Sequence, residues 1–150
     1  MVRFHHGSPF FMKDYELIEH TADLGVRVSG SDLKQVFVNV AKAMFDIIAE
    51  PCKACNSLKL NKFEIRIEGE DQHELFIGWL NELLSLSEAK ETIFEQFQIN
   101  KLTQKQLEAV ACGYPRENYR IKTEMKAATY HQLKIQEIDS HWQAEVIFDV

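Results

Sequence analysis

The chain has little of what a self-sufficient active site is usually built from. Its six glycines form no Gly-rich phosphate loop, and no G-x-S-x-G turn presents a nucleophile. The six histidines are scattered, with neither H-E-x-x-H nor H-x-x-x-H spacing, which argues against a catalytic zinc. Cysteine is scarce and odd in number, at three, and nothing marks secretion, so the reading is a reduced, cytoplasmic protein. No apolar run approaches the ~18 residues of a membrane span. A surplus of Lys and Arg is missing too: the formal net charge of −6 argues against strong unaided nucleic-acid binding, which requires phosphate neutralisation. Together these absences favour an accessory or regulatory protein over an independent enzyme.

What is present is ordinary globular composition. Within 150 residues, 45% are hydrophobic and 27% charged, enough to bury one core and to exclude a disordered chain. Residues 1–13 are set apart as a leader, disordered or left over from expression, and residues 14–150 as a single domain. Two short strands are expected over 14–19 and 24–29, the second from the alternation of Leu24, Val26 and Val28. Asp32 with Gln35, and Asp71 with Glu74, have the spacing of helix-capping boxes. Each precedes an apolar stripe: Leu33, Val36, Phe37, Val40, Met44, Ile47 and Ile48, ended by Pro51, and then Leu75, Phe76, Trp79, Leu80, Leu83 and Leu86. Leu58, Leu60, Phe63, Ile65 and Ile67 suggest a strand between the helices. After the second helix the period is two, with strands expected at 93–100, 106–112, 119–127, 132–138 and 141–148, and turns at Gly113-Tyr114-Pro115 and Asp139-Ser140. The fold class is α+β: two amphipathic helices packed on mostly antiparallel sheet.

Several groups invite a chemical reading beside a plain one. Cys52-Lys53-Ala54-Cys55 is a C-x-x-C without a second ligand pair, read first as two incidental loop thiols. Trp79 and its neighbouring leucines are read as core before partner surface. Lys126 is read from spacing as an outward charge on a sheet. The sequence finishes on Asp149-Val150 directly after an alternating apolar run, so the Asp149 side chain and the Val150 α-carboxylate lie within a few ångströms of each other. Holding two carboxylates together is costly without a cation. If the fold also brings in Asp23, at the junction Glu19-His20-Thr21-Ala22-Asp23, the chain has an oxygen site for a hard metal.

Four blocks in order resemble the archease family over residues 14–150. They are Tyr15-Glu16-Leu17-Ile18-Glu19-His20-Thr21-Ala22-Asp23, like the family's E-H-T-A-D opening; Trp79-Leu80-Asn81-Glu82-Leu83-Leu84, like its second helix; Glu124-Met125-Lys126-Ala127-Ala128-Thr129-Tyr130-His131, with Met125 where Ile is usual; and Val146-Ile147-Phe148-Asp149-Val150 at the terminus. The resemblance implies an activator, not itself an enzyme, of the GTP-dependent RtcB-type RNA ligase that joins RNA ends in tRNA splicing and RNA repair. Such an activator promotes guanylylation of the ligase's active-site histidine and permits multiple turnover. It further implies a divalent-metal site, calcium-like with magnesium or manganese as alternatives, with Asp23, Asp149 and Val150 as ligands. Glu19, His20, Lys126 and His131 fall in the motifs implicated in ligase activation. Two other classes stay open: a chaperone-like protein-binding module with Cys52 and Cys55 as a redox gate, and a metal-dependent hydrolase, against which stands the lack of a nucleophile or proton-transfer pair.

If the Val150 carboxylate is a charged ligand, a C-terminal tag, which turns it into a peptide carbonyl, weakens divalent-ion binding relative to an N-terminal tag. Calorimetric titration of the two tagged forms measures this; equal affinities would remove Val150 from the ligand set.

Overall fold

A computed structural model of the chain describes residues 2–3, 15–18, 23–52 and 57–150. Ten strands and two α-helices are found there. The strands are β1 (Val2–Arg3), β2 (Tyr15–Ile18), β3 (Leu24–Gly30), β4 (Ala49–Pro51), β5 (Asn61–Glu68), β6 (Thr92–Leu102), β7 (Gln106–Pro115), β8 (Tyr119–Ile121), β9 (Ala127–Ile138) and β10 (His141–Asp149). The helices are α1 (Leu33–Ile48) and α2 (Gln72–Ala89). They form a five-stranded sheet in the order β1-β2-β3-β10-β9, a three-stranded sheet β5-β7-β6, and the pair β4-β8. Every one of these pairings is antiparallel.

Both helices start where the capping pattern places them. The Asp32 carboxylate accepts the Gln35 N–H at 2.8 Å, and the Asp71 carboxylate accepts the Glu74 N–H at 2.9 Å, each satisfying an otherwise orphaned first-turn donor. The helices lie between the two larger sheets: α1 packs on β3 and on β6, and α2 on β9 and on β5 and β6. A helix covered on two sides needs more than one apolar stripe. Ala41, Ala43 and Phe45 are accordingly buried alongside the expected α1 positions, and Ile77 alongside those of α2. Trp79 is fully buried at the centre, where its indole N–H donates to the Phe37 carbonyl at 2.9 Å and ties α2 to α1. Tyr15, also buried, donates its hydroxyl to the Asp46 carboxylate at 2.6 Å and joins β2 to α1; burial and that bond hold its proton well above the ordinary tyrosine range.

Four sequence expectations are corrected. Leu58 and Leu60 stand outside β5, which starts at Asn61, and they are exposed, Leu58 at 88%. They have the wrong parity to share a face with Phe63, Ile65 and Ile67. Gly113-Tyr114-Pro115 is not a turn but the end of β7, paired with Phe94, Ile93 and Thr92; the chain turns in the 3₁₀ segment Arg116–Asn118 instead. The expected strand 119–127 is two elements. β8 pairs with β4, the Lys122 and Thr123 N–H groups both donate to the Ile48 carbonyl, and the chain then changes partner to β10. Its inward alternation survives the exchange, which is why one long strand is suggested. Finally, β9 begins at Ala127, not 132: residues 130–133 bulge opposite the single residue Val146 and break the period-2 signal. The Asp139-Ser140 turn is as expected, with positive φ at both residues (48° and 69°), the two-residue hairpin geometry.

A Cβ on Gly113 would lie 2.0 Å from the Ile93 carbonyl oxygen, a backbone atom that no rotamer change can move. Gly113→Ala is therefore expected to destabilise the fold by on the order of 3 kcal/mol, read as a lower urea midpoint. An unchanged midpoint would contradict the close approach of β6 and β7.

Candidate functional site

β10 pairs with β3 without interruption from Trp142–Gly30 to Phe148–Leu24. The next residue on each strand, Asp149 and Asp23, closes the same end of the pair. Alternation sets the face: Phe148 is fully buried in the core, so Asp149 projects the other way and is exposed, while Asp23 is half-buried. Val150 follows and is 45% exposed. On the other side of β10, Asp149 is paired with Ala127, and the Lys126 N–H donates to the Asp149 carbonyl at 2.9 Å. Asp23, Asp149 and the exposed Lys126 thus stand at the ends of three adjacent segments.

The surrounding structure holds this end in place. Arg27 bridges Glu16 at 3.0 Å and Glu145 at 3.3 Å, a cross-strand ladder over β2, β3 and β10 on the same sheet face as Asp149. Its members are only partly exposed, so it is screened less than a surface pair. Asn81 of α2 bonds the backbone of Ala128 in both directions: its Oδ1 accepts the N–H at 2.8 Å and its Nδ2 donates to the carbonyl at 3.2 Å. The Thr129 hydroxyl donates to the Ile147 carbonyl at 2.9 Å. Beside Lys126, a cleft of about 450 Å³ opens between α2 and residues 121–127, with Asn81, Glu88, Arg116, Glu124 and Met125 among its walls.

Other sequence candidates fall elsewhere. His131 sits in the β9 bulge, four residues along the strand from Ala127. Glu19 and His20 lie outside the described residues, as does Cys55. Cys52 is half-buried and its N–H donates to the Asn118 carbonyl at 2.7 Å; it and Cys112 are free thiols. Sequence reasoning gave Asn81 no role. The signal available was a lone amide among Trp79, Leu80, Leu83 and Leu84 on an otherwise apolar stretch of helix.

Among the described residues, no three His, Cys, Asp or Glu side chains gather to form a metal site by themselves. Asp23 and Asp149, at the same end of the β3–β10 pair, offer carboxylate oxygens, hard donors whose chemistry fits calcium, magnesium or manganese and not a soft ion. Among the described residues, no helix is long and apolar enough to cross a membrane.

The model of the archease protein family matches residues 15–150. The chain belongs to the archease family. The archease of Methanosarcina acetivorans is 36% identical over 145 residues, covering 92% of this chain and 97% of that protein. That of Pyrococcus abyssi is 36% identical over 148 residues, covering 93% and 100%. The solution structure of Methanobacterium thermoautotrophicum protein 1598 superposes with a TM-score of 0.69 at 30% identity, over 93% of this chain and all of the other. A Thermotoga maritima archease crystal structure, described there as a possible chaperone, gives 0.58 at 21% identity over 99% and 100%, a likeness that shows the fold. The α+β architecture of two helices with antiparallel sheets is that of these archease structures.

Proposed function

We propose that this archease activates a GTP-dependent RtcB-type RNA ligase, promoting guanylylation of the ligase's histidine and its repeated turnover in tRNA splicing or RNA repair. The activation works through an acidic tip, without catalysis by this chain. The observation that carries the reading is the convergence of Asp23, Asp149 and Lys126 at one end of the β3-β10-β9 ladder.

Asp23 and Asp149, with the carboxylate of Val150, would hold one divalent ion. When bound, the ion supplies positive charge that offsets the crowded carboxylates and a Lewis-acidic centre at the tip. The chain's own residues do the remaining work. The backbone bond from Lys126 to Asp149 keeps the ammonium-bearing residue beside the carboxylates, where the side chain is free to meet a phosphate oxygen or a ligase carboxylate. Guanylyl transfer to histidine develops negative charge on phosphate oxygens, so a cation held at the right place favours the transition state over the ground state. Glu19, His20 and His131 remain with this reading as contacts to the ligase made outside the metal set.

Asp23→Ala and Asp149→Ala are each expected to abolish stimulation in a single-turnover guanylylation assay with GTP and purified ligase. Asp149 is exposed and outside the core, so Asp149→Ala is expected to change the unfolding free energy by about 0.5 kcal/mol or less. Full stimulation by the folded double variant would overturn the proposal.

A further inference from the structure

We infer that Asn81 is a positioning residue for the activating tip: its side-chain amide takes the place of a missing neighbour strand and fixes the short segment that carries Lys126 and pairs with Asp149. This inference rests on the activator reading above for its functional consequence, though not for its geometry.

Among the described residues, β9 is an edge of the five-stranded sheet. Ala128, second in that strand, directs both its N–H and its carbonyl at Asn81, and receives from one side chain the donor and acceptor that an adjoining strand would have offered. The residues on either side are tied to β10 instead: Ala127 is paired with Asp149, and Thr129 reaches the Ile147 carbonyl through its hydroxyl. Residues 127–129 all run in register with β10, Ala128 opposite Phe148, and Ala128 adds the two bonds to the helix.

This stretch needs such a tie because both its flanks are weak. Before it, residues 122–126 have no strand pairing; after it, residues 130–133 leave the ladder in the bulge. Asn81 itself is on α2, whose adjacent Leu80 and nearby Trp79 and Leu83 are all fully buried, so its backbone has little freedom. The rigid helix is thereby coupled to the Lys126–Asp149 corner through one amide. Chemistry restricts what can replace it. Leucine has a similar shape and neither hydrogen-bonding group; aspartate keeps the acceptor but sets a carboxylate oxygen against the Ala128 carbonyl.

The test uses the full chain with Asn81→Leu and Asn81→Asp, and Leu83→Ala as a control that loosens the same helix while keeping the Asn81 side chain that bonds Ala128. Amide hydrogen exchange, calcium titration by calorimetry and ligase guanylylation are measured at a temperature where all variants are folded. In both Asn81 variants, exchange at Ala128 and Lys126 is expected to accelerate at least tenfold, with calcium affinity and ligase stimulation each falling about tenfold. Leu83→Ala is expected to keep the exchange rate at Lys126 and the calcium affinity of the native chain. Native exchange at Lys126 in Asn81→Leu, or an equal acceleration in Leu83→Ala, would overturn the positioning role. The two readings fail separately. Accelerated exchange with no stimulation even by the native chain sinks the activator reading alone, whereas native-level stimulation by Asn81→Leu sinks the positioning role alone.

Discussion

The register of β10 between β3 and β9 is the constraint on which the rest depends. Because side chains alternate, sliding β10 by one residue would turn Phe148 out to water and drive Asp149 into the core. Burying an unpaired carboxylate costs several kcal/mol, and exposing a phenylalanine forfeits about 2–3 more. Hydrophobic sorting several residues away therefore decides where the acidic groups stand. The Glu16–Arg27–Glu145 ladder reinforces the same alignment, since its ion pairs form only when the three strands keep their registers.

The two-sided burial of the helices gives that alignment a firm backing. α1 and α2 fill the space between the sheets, with Phe37 and Phe76 edge to face at 5.1 Å and Phe45 against Phe94 at 5.6 Å. Trp79 links the helices through a backbone carbonyl. Two residues further on, Asn81 passes the same helix's position to the β9 edge. Core packing and the exposed tip are thus connected through a few bonds whose geometry is fixed by large buried side chains.

Much of the fold was legible because its signals are local. The caps at Asp32 and Asp71 and the apolar periods of α1 and α2 depend on neighbours three or four residues away. What was not legible depends on partners distant in sequence. The alternation Tyr119, Ile121, Thr123, Met125 says that one side faces inward, not that the hydrogen-bonding partner changes midway from β4 to β10. Gly113 reads as a turn residue because nothing local reveals the β6 backbone against it. Likewise, Asp149 after an alternating apolar run was visible as an oddity, and its neighbourhood with Asp23 followed only from the strand order. Asn81 was unreadable for the same reason: both its bonds go to a residue 47 positions away.

The β9 bulge has a mechanical corollary. Four residues, 130–133, occupy the length that β10 covers with Val146 alone, so the strand carries slack in its middle. A residue gained or lost within that slack would change its outline, and with it the place of His131, while both flanking ladders kept their alignment.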